Sequence, residues 1–433
     1  MARTNVKLRL PIVTHEHCAA VRINNEKELR RSVLSTLLWE DTFYEDGVDI
    51  AKRIVDTAAK VKPEVVAGLA VEARTIGLRH TPLLLLLDLI KRGGVGVANT
   101  ISNTIKRPDE ITELLSLYWK FNPNKDLSAQ LKKGVAKSFN KFNEYQLGKY
   151  NRDGAVKLRD ALFLSHAKPK DKEQEVLFNK LVTNTLAIPD TWETELSAGK
   201  DKKETFERLL SEGKLGYLAL LRNLRNMVDA KVDLKLVKDA ILARKGADMV
   251  FPFRYVAAAR HAPLLERAID QALLAAVTKG IKLPGKTVVL VDTSGSMYGS
   301  KVSAKSEIDR VTAAATLASV INGDEVRVIA FGTTTQELPH RLGMAGVDNI
   351  VRTSLGGTNL GAAVKKANAI GGDRLIVITD EQSHDIVSCP KFKNAYMINV
   401  DSYSNGVGYA NGWTHIDGFS EAVLRYIFEI EKE

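Results

Sequence analysis

Four apolar residues, Val288 to Val291, run straight into Asp292, Ser294 and Ser296 in the stretch VVLVDTSGSM. A short continuous apolar run suits a strand buried on both faces, and such strands belong to parallel sheets covered by helices. In those sheets ligands gather at the carboxyl ends of the strands, which is where the acid and the two serines stand. The same grammar recurs downstream. KTVVLVD, EVRVIAF, RLIVITD and NAYMINV are short β-rich runs, and helical candidates lie between them: SEIDRVTAAATLASVIN from Ser306 and NLGAAVKKANAI from Asn359. This alternation predicts a mostly parallel α/β domain over 281–433, with helices on both faces of the sheet.

The first 280 residues read differently. From about residue 27 to 275 the apolar residues recur at three- and four-residue spacings in ELRRSVLSTLLWEDTFY, DIAKRIVDTAAKV, PEVVAGLAVEARTIG, TPLLLLLDLIKR, DEITELLSLYWKF and AQLKKGVAKSFNKF. These are amphipathic or buried helices joined by short polar connections. Many short helices in series predict a HEAT-like repeat array over 1–280, and LRHTPLL from Leu78 is echoed by ARHAPLL from Ala259. In both copies the proline suits a first helical turn, which makes His80 and His261 structural histidines near helix starts.

Asp292, Ser294 and Ser296 in the first loop, Thr358 in SLGGTN and Asp380 at the end of RLIVITD offer two carboxylates and three hydroxyls. Hard oxygen donors of this kind suit Mg²⁺ better than a thiolate-seeking metal. Gly295 is expected to let the first loop fold tightly, and Gly356 and Gly357 to bring Thr358 close. Nothing nearby supplies an activated nucleophile or a clear general base, since Glu381 and His384 are expected to face solvent. The site therefore reads as a binding device, with a Mg²⁺-dependent nuclease as the weaker alternative.

Charge is unevenly spread. Formal net charge is +10, yet residues 281–433 carry 15 Lys and Arg against 17 Asp and Glu, so the excess lies in the helical part. Between Lys125 and Lys172 twelve Lys or Arg face five Asp or Glu. Lys132, Lys133, Lys137 and Lys141 recur at roughly helical spacing, Lys149 and Arg152 extend the run, and His166 precedes Lys168 and Lys170 in the turn HAKPK. Such a face can meet a phosphate backbone without reading bases. The interleaved Phe139, Phe142, Tyr145, Tyr150 and Phe163 are expected in the core before any role in stacking on bases.

Cys18 and Cys389, far apart and without spaced partners, imply neither a disulfide framework nor a zinc site. The opening residues hold no apolar signal-type run, and TPLLLLLDLI is too short to span a bilayer. A cytoplasmic setting without membrane contact is expected.

DTSGSM, a GGT loop and ITDE together resemble the von Willebrand factor A domain with its metal-ion-dependent adhesion site. LRRSVLSTLLWEDTFYEDG, VEARTIGLRHTPLLLLLDLI, KLRDALFLSHAKPK, PDTWETELSAG and LALLRNLRNM resemble the TROVE module of Ro ribonucleoprotein autoantigens. The resemblance implies a multidomain chain: an α-helical ring of HEAT-like repeats over 1–280, followed by a Rossmann-like α/β von Willebrand A domain over 281–433. It implies metal contact at Asp292, Ser294, Ser296 and Thr358, with Asp380 holding the ion through water. It further implies a non-catalytic scaffold for small Y-like non-coding RNA and for single-stranded 3′ ends of misfolded RNA, with Lys149, Arg152 and His166 matching the family's RNA contacts. An exoribonuclease, or an acidic protein ligand at the metal site, is the expected protein partner, and a ring made within one chain suggests a monomer. The competing reading is a metal-dependent protein-interaction module in which RNA binding is incidental.

Overall fold

The computed structural model describes residues 24–34, 47–75, 78–123, 126–247, 250, 252–299, 308–401, 406–407, 412–417, 423–424, 427–428 and 431. The chain forms two compact units: residues 48–247 make one, and 248–433 together with helix Asn25–Leu34 make the other.

The first unit is all helical among its described residues. Helices Gly47–Ala58, Pro63–Thr75, Thr81–Arg92, Pro108–Phe121 and Ala129–Phe139 fall where the three- and four-residue periodicity places them. The end of ELRRSVLSTLLWEDTFY lies outside the described residues. Helix Thr81–Arg92 is buried from Thr81 to Ile90, which explains its unbroken leucines. Val97–Thr104, a helix the periodicity did not single out, packs against Ala129–Phe139. Gly134 makes that approach possible, because a Cβ there would lie 2.7 Å from Ile101 Cβ.

In the second unit, strands β1 (Lys282–Asp292), β2 (Asn322–Phe331), β3 (Thr335–Leu338), β4 (Arg374–Thr379), β5 (Asn394–Asn399) and β6 (Thr414–Asp417) form one sheet in the order β3-β2-β1-β4-β5-β6. All neighbours are parallel except the short antiparallel edge β3. Val288, Leu290, Val377 and Met397 pack with Leu360 and Val364 of helix Leu360–Ile370. Helix Arg310–Ala318 is buried along its whole length. The start of its predicted span, from Ser306, lies outside the described residues, while Ser319 to Ile321 turn the chain into β2.

The compact units divide at 247, whereas the sequence places the boundary at 280. Helix Pro252–His261 packs on Arg310–Ala318, and Arg260 pairs with Asp348. Asp270 Oδ1, from helix Glu266–Thr278, accepts from Met344 N at 2.9 Å and so caps helix Met344–Val351. The 252–278 helices belong to the unit that holds the sheet instead of extending the array. For the same reason the RH-x-PLL echo is no structural repeat. His80 precedes helix Thr81–Arg92 and pairs with Glu113, whereas His261 ends a helix in the other unit and Pro263 opens a single 3₁₀ turn.

Gly134→Ala tests the close helix contact. Helix propensity favours alanine by up to about 1 kcal/mol, but overpacking costs about 1–3 kcal/mol, so net destabilisation is expected in urea unfolding. The cost should shrink in an Ile101→Ala background, where two of the three clashing carbons are gone.

Candidate metal centre and basic surface

Asp292 ends β1, and Asp380 directly follows the end of β4, the strand paired beside it, so both carboxylates emerge at neighbouring strand ends. They are almost wholly buried, as are Ser294 and Thr358, while Ser296 is half-buried. Ser296 Oγ donates to Asp380 Oδ2 at 2.6 Å and lies 3.3 Å from Ser294 Oγ. Asp292 Oδ1 accepts from Ser294 N at 2.9 Å, and Asp292 Oδ2 accepts from Thr379 Oγ1 at 2.6 Å.

The Thr358 loop is hydrogen-bonded onto the first loop: Leu355 N donates to Thr293 O at 3.2 Å and Gly295 N to Gly356 O at 2.8 Å. Gly356 takes φ +81°, a left-handed conformation that favours glycine. Gly295 needs no such freedom; it opens the short helix Gly295–Gly299. His384 holds the same loop from the other side, where its Nδ1 accepts from Thr358 N at 2.9 Å and its backbone N donates to Thr358 O at 2.8 Å. Asp385 accepts from Gly361 N and Ala362 N, at 2.7 and 2.8 Å, at the start of helix Leu360–Ile370.

Burial, followed by the adjacent Asp380 carboxylate, pushes the Asp292 carboxyl up to about 7, against the hydrogen bonds from Ser294 and Thr379. A hard divalent cation would relieve both causes, and two carboxylates with three hydroxyls supply the oxygen donors it takes. The residues therefore fit such an ion.

The expectation that Glu381 faces solvent is corrected. It is fully buried, adopts φ +61°, and is paired with Arg31 at 3.5 Å and with His415. Although burial opposes it, His415 and Arg31 hold its carboxyl well below the usual range. His384 is exposed. Sequence reading missed Thr379, which looked like a core strand residue, and Arg31, which is remote in sequence. Among the described residues no cluster of three or more His, Cys, Asp or Glu is placed to hold a metal.

The basic candidates lie in the helical unit. Lys132 is half-buried and Lys133 exposed on helix Ala129–Phe139. Lys137 donates to Asn99 Oδ1 at 2.6 Å, and the Lys141 ammonium holds the carbonyls of Ser102 and of Ile105, the latter at 2.6 Å. Burial, then Lys106, lowers the Lys141 pKa to about 8. These two lysines tie helix Val97–Thr104 to its neighbour.

Lys149, near the end of helix Glu144–Tyr150, lies 5.9 Å from the Tyr145 ring, and Arg152 is exposed just beyond. Helix Leu158–Ser165 ends on His166 in the left-handed conformation, φ 52° and ψ 39°. Ala167 N and His166 N close that cap on Leu162 O and Phe163 O, at 3.3 and 3.0 Å. Asn140 Nδ2 donates to Lys168 O at 3.2 Å, and Asp171 caps helix Lys172–Val182 through Gln174 N at 2.8 Å. The HAKPK turn is thus fixed at both ends, with His166, Lys168 and Lys170 exposed. Phe139 and Phe142 are core as expected, but Tyr145 and Phe163 are 51% and 56% exposed. Tyr150 is half-buried, with the Arg107 guanidinium 4.3 Å from its ring.

Fold and site together define a protein of one helical unit and one A-type α/β unit carrying an acidic hydroxyl-rich loop cluster. Residues 180–260, a span that crosses the division at 247, match the TROVE domain, and 287–382 match the von Willebrand factor type A domain. The chain thus pairs a stretch similar to the TROVE domain with one similar to the von Willebrand factor type A domain. The chain shares its fold with the crystal structure of the Deinococcus radiodurans RO (RSR) protein, with TM-score 0.63 and 16% identity over 93% of this chain and 98% of that one. It is also 36% identical over 76 residues to telomerase protein component 1 of Mus musculus, a match covering 16% of this chain and 3% of that protein. The basic stretch lies ahead of the residues matched to the TROVE domain. No described helix is long and apolar enough to cross a membrane.

In chelator, Asp292 sets a pH dependence. Its pKa is raised by folding, so its contribution is most favourable below the ordinary Asp pKa and is lost as pH rises through about 7. Asp292→Asn should flatten that loss, as read by thermal unfolding in EDTA from about pH 4 to 8.

Proposed function

We propose that this protein is a non-enzymatic RNA-binding scaffold whose helical unit grips structured small RNA by phosphate contacts. The observation that carries the reading is the doubly anchored HAKPK turn, which presents His166, Lys168 and Lys170 from a backbone held at Asn140 and Asp171. Exposed Tyr145 and Phe163 add faces on which unpaired bases can stack. Lys149 and Arg152 neutralise phosphate, and selectivity comes from RNA shape and accessible ends more than from base edges.

By analogy with the Ro architecture, the RNA is a Y-like non-coding RNA or the single-stranded 3′ end of a misfolded one, handled in the cytoplasm by a monomer. The role is RNA quality control, processing or decay, in company with an exoribonuclease. The A-type unit takes Mg²⁺ at Asp292, Ser294, Ser296, Thr358 and Asp380 and presents it to an acidic protein ligand. The buried carboxylate pair also supports the second reading, a protein-interaction module in which RNA is incidental.

Binding to a hairpin RNA with a single-stranded 3′ tail, followed by fluorescence anisotropy at two salt concentrations with and without EDTA, separates the two. The RNA scaffold predicts tight, salt-sensitive binding that is indifferent to EDTA and to Asp292→Ala. Lys149→Ala with His166→Ala should weaken it roughly tenfold or more, and the loss of one phosphate contact should reduce the log–log salt slope by about one. Binding no tighter than that of a neutral protein contradicts the RNA reading.

A further inference from the structure

We propose that Arg31 is a positioning residue for the cation site, and that through it the docking of helix Asn25–Leu34 is coupled to cation binding at Asp292 and Asp380. The inference rests on the reading of those residues as a cation site.

A continuous set of contacts runs from the helix to both carboxylates. Arg31 Nη1 lies 3.5 Å from Glu381 Oε2, with both side chains at 0% exposure, and His415 of β6 pairs with the other oxygen. The Glu381 backbone N donates to Thr379 Oγ1 at 3.1 Å, and that hydroxyl donates to Asp292 Oδ2 at 2.6 Å. On the other side of the same turn, Gln382 N donates to Asp380 Oδ1 at 3.2 Å. Glu381 thus sits between the groups that orient the two carboxylates.

Its backbone depends on outside support. Glu381 occupies the left-handed region at φ +61°, which a Cβ disfavours, and such residues persist where the surroundings over-determine them. The surroundings here include Arg31, His415, Asn399 and the segment at Gly406–Val407. Val407 N donates to Glu381 O at 3.4 Å, and a Cβ at Gly406 would collide with the Glu381 carboxylate. Arg31 comes from a helix hundreds of residues away in sequence, so undocking that helix removes the guanidinium and frees the turn.

Two roles for Arg31 predict opposite signs. If it acted by charge alone, its removal would take a cation from the neighbourhood of the site and tighten cation binding. If it positions Glu381, its removal loosens the orientation of Asp292 and Asp380 and weakens binding. Loss of outer partners of metal ligands weakens affinity about 10–100-fold.

The test is Mn²⁺ binding to the full chain, read by electron paramagnetic resonance of the free ion. Arg31→Met should weaken Mn²⁺ about tenfold or more, and Arg31→Lys should recover most of the loss. Arg374→Met removes a buried arginine, paired with Glu431, at the opposite end of β4 and should leave Mn²⁺ affinity unchanged. Because coupling is reciprocal, Mn²⁺ should slow amide exchange across residues 25–34 in the wild type and not in Asp292→Ala. Arg31→Met binding Mn²⁺ as tightly as wild type or tighter overturns the proposal, as does equal weakening by Arg374→Met. Should Arg31→Met not fold, unchanged wild-type exchange at 25–34 on adding Mn²⁺ overturns it instead. Wild type and Asp292→Ala alike failing to bind Mn²⁺ overturns the cation-site reading itself, a result distinct from the others.

Discussion

Two carboxylates at neighbouring strand ends, buried where water cannot screen them, are the constraint around which the α/β unit is arranged. Asp292 accepts from hydroxyl and amide donors, yet burial, followed by the adjacent Asp380 carboxylate, lifts its proton affinity toward neutrality. Glu381, next in the chain after Asp380, is treated in the opposite way, with an arginine and a histidine set against it. One buried acid has its charge met by the protein, while the neighbouring pair is left in an environment that a divalent ion suits. The Thr358 loop, held by His384 and by the hydrogen bonds to the first loop, completes that environment.

The helical unit poses a complementary problem, an excess of positive charge on its surface. Some of that charge serves the fold, as Lys137 and Lys141 do in joining two helices. What is left exposed gathers around a turn whose backbone is held at both ends. A rigid turn loses less conformational freedom when it meets a ligand than a mobile loop does. Electrostatic attraction to a polyanion is long-ranged and tolerant of sequence, which suits a scaffold that selects RNA by shape.

Much of the fold was legible because period and burial speak through residue type. The buried strands read as unbroken apolar runs, and the long helices read at three- and four-residue spacing. The cluster of buried carboxylates and hydroxyls was legible because oxygen donors sat at strand ends. What escaped depends on contacts distant in sequence. Nothing local marks helices 252–261 and 266–278 as belonging with the sheet; that follows from Asp270 capping Met344 and from Arg260 meeting Asp348. Arg31 and Glu381 look like surface residues until the fold brings them together. Tyr145 and Phe163 obeyed a helical spacing that predicted the core, yet their short helices turn them outward. The strands β3 and β6 were missed because four residues carry too little pattern to separate strand from loop.

The central claim is that RNA is held by the basic surface of the helical unit, independently of the cation site. The most direct measurement is photo-crosslinking of a 4-thiouridine-substituted hairpin RNA to the full chain, with the crosslinked peptides mapped by mass spectrometry. The account predicts crosslinks concentrated between residues 132 and 172, around Tyr145, Phe163 and His166, with the same pattern in EDTA. Crosslinks confined to the loops bearing Asp292, Thr358 and Asp380, or abolished by EDTA, would contradict it.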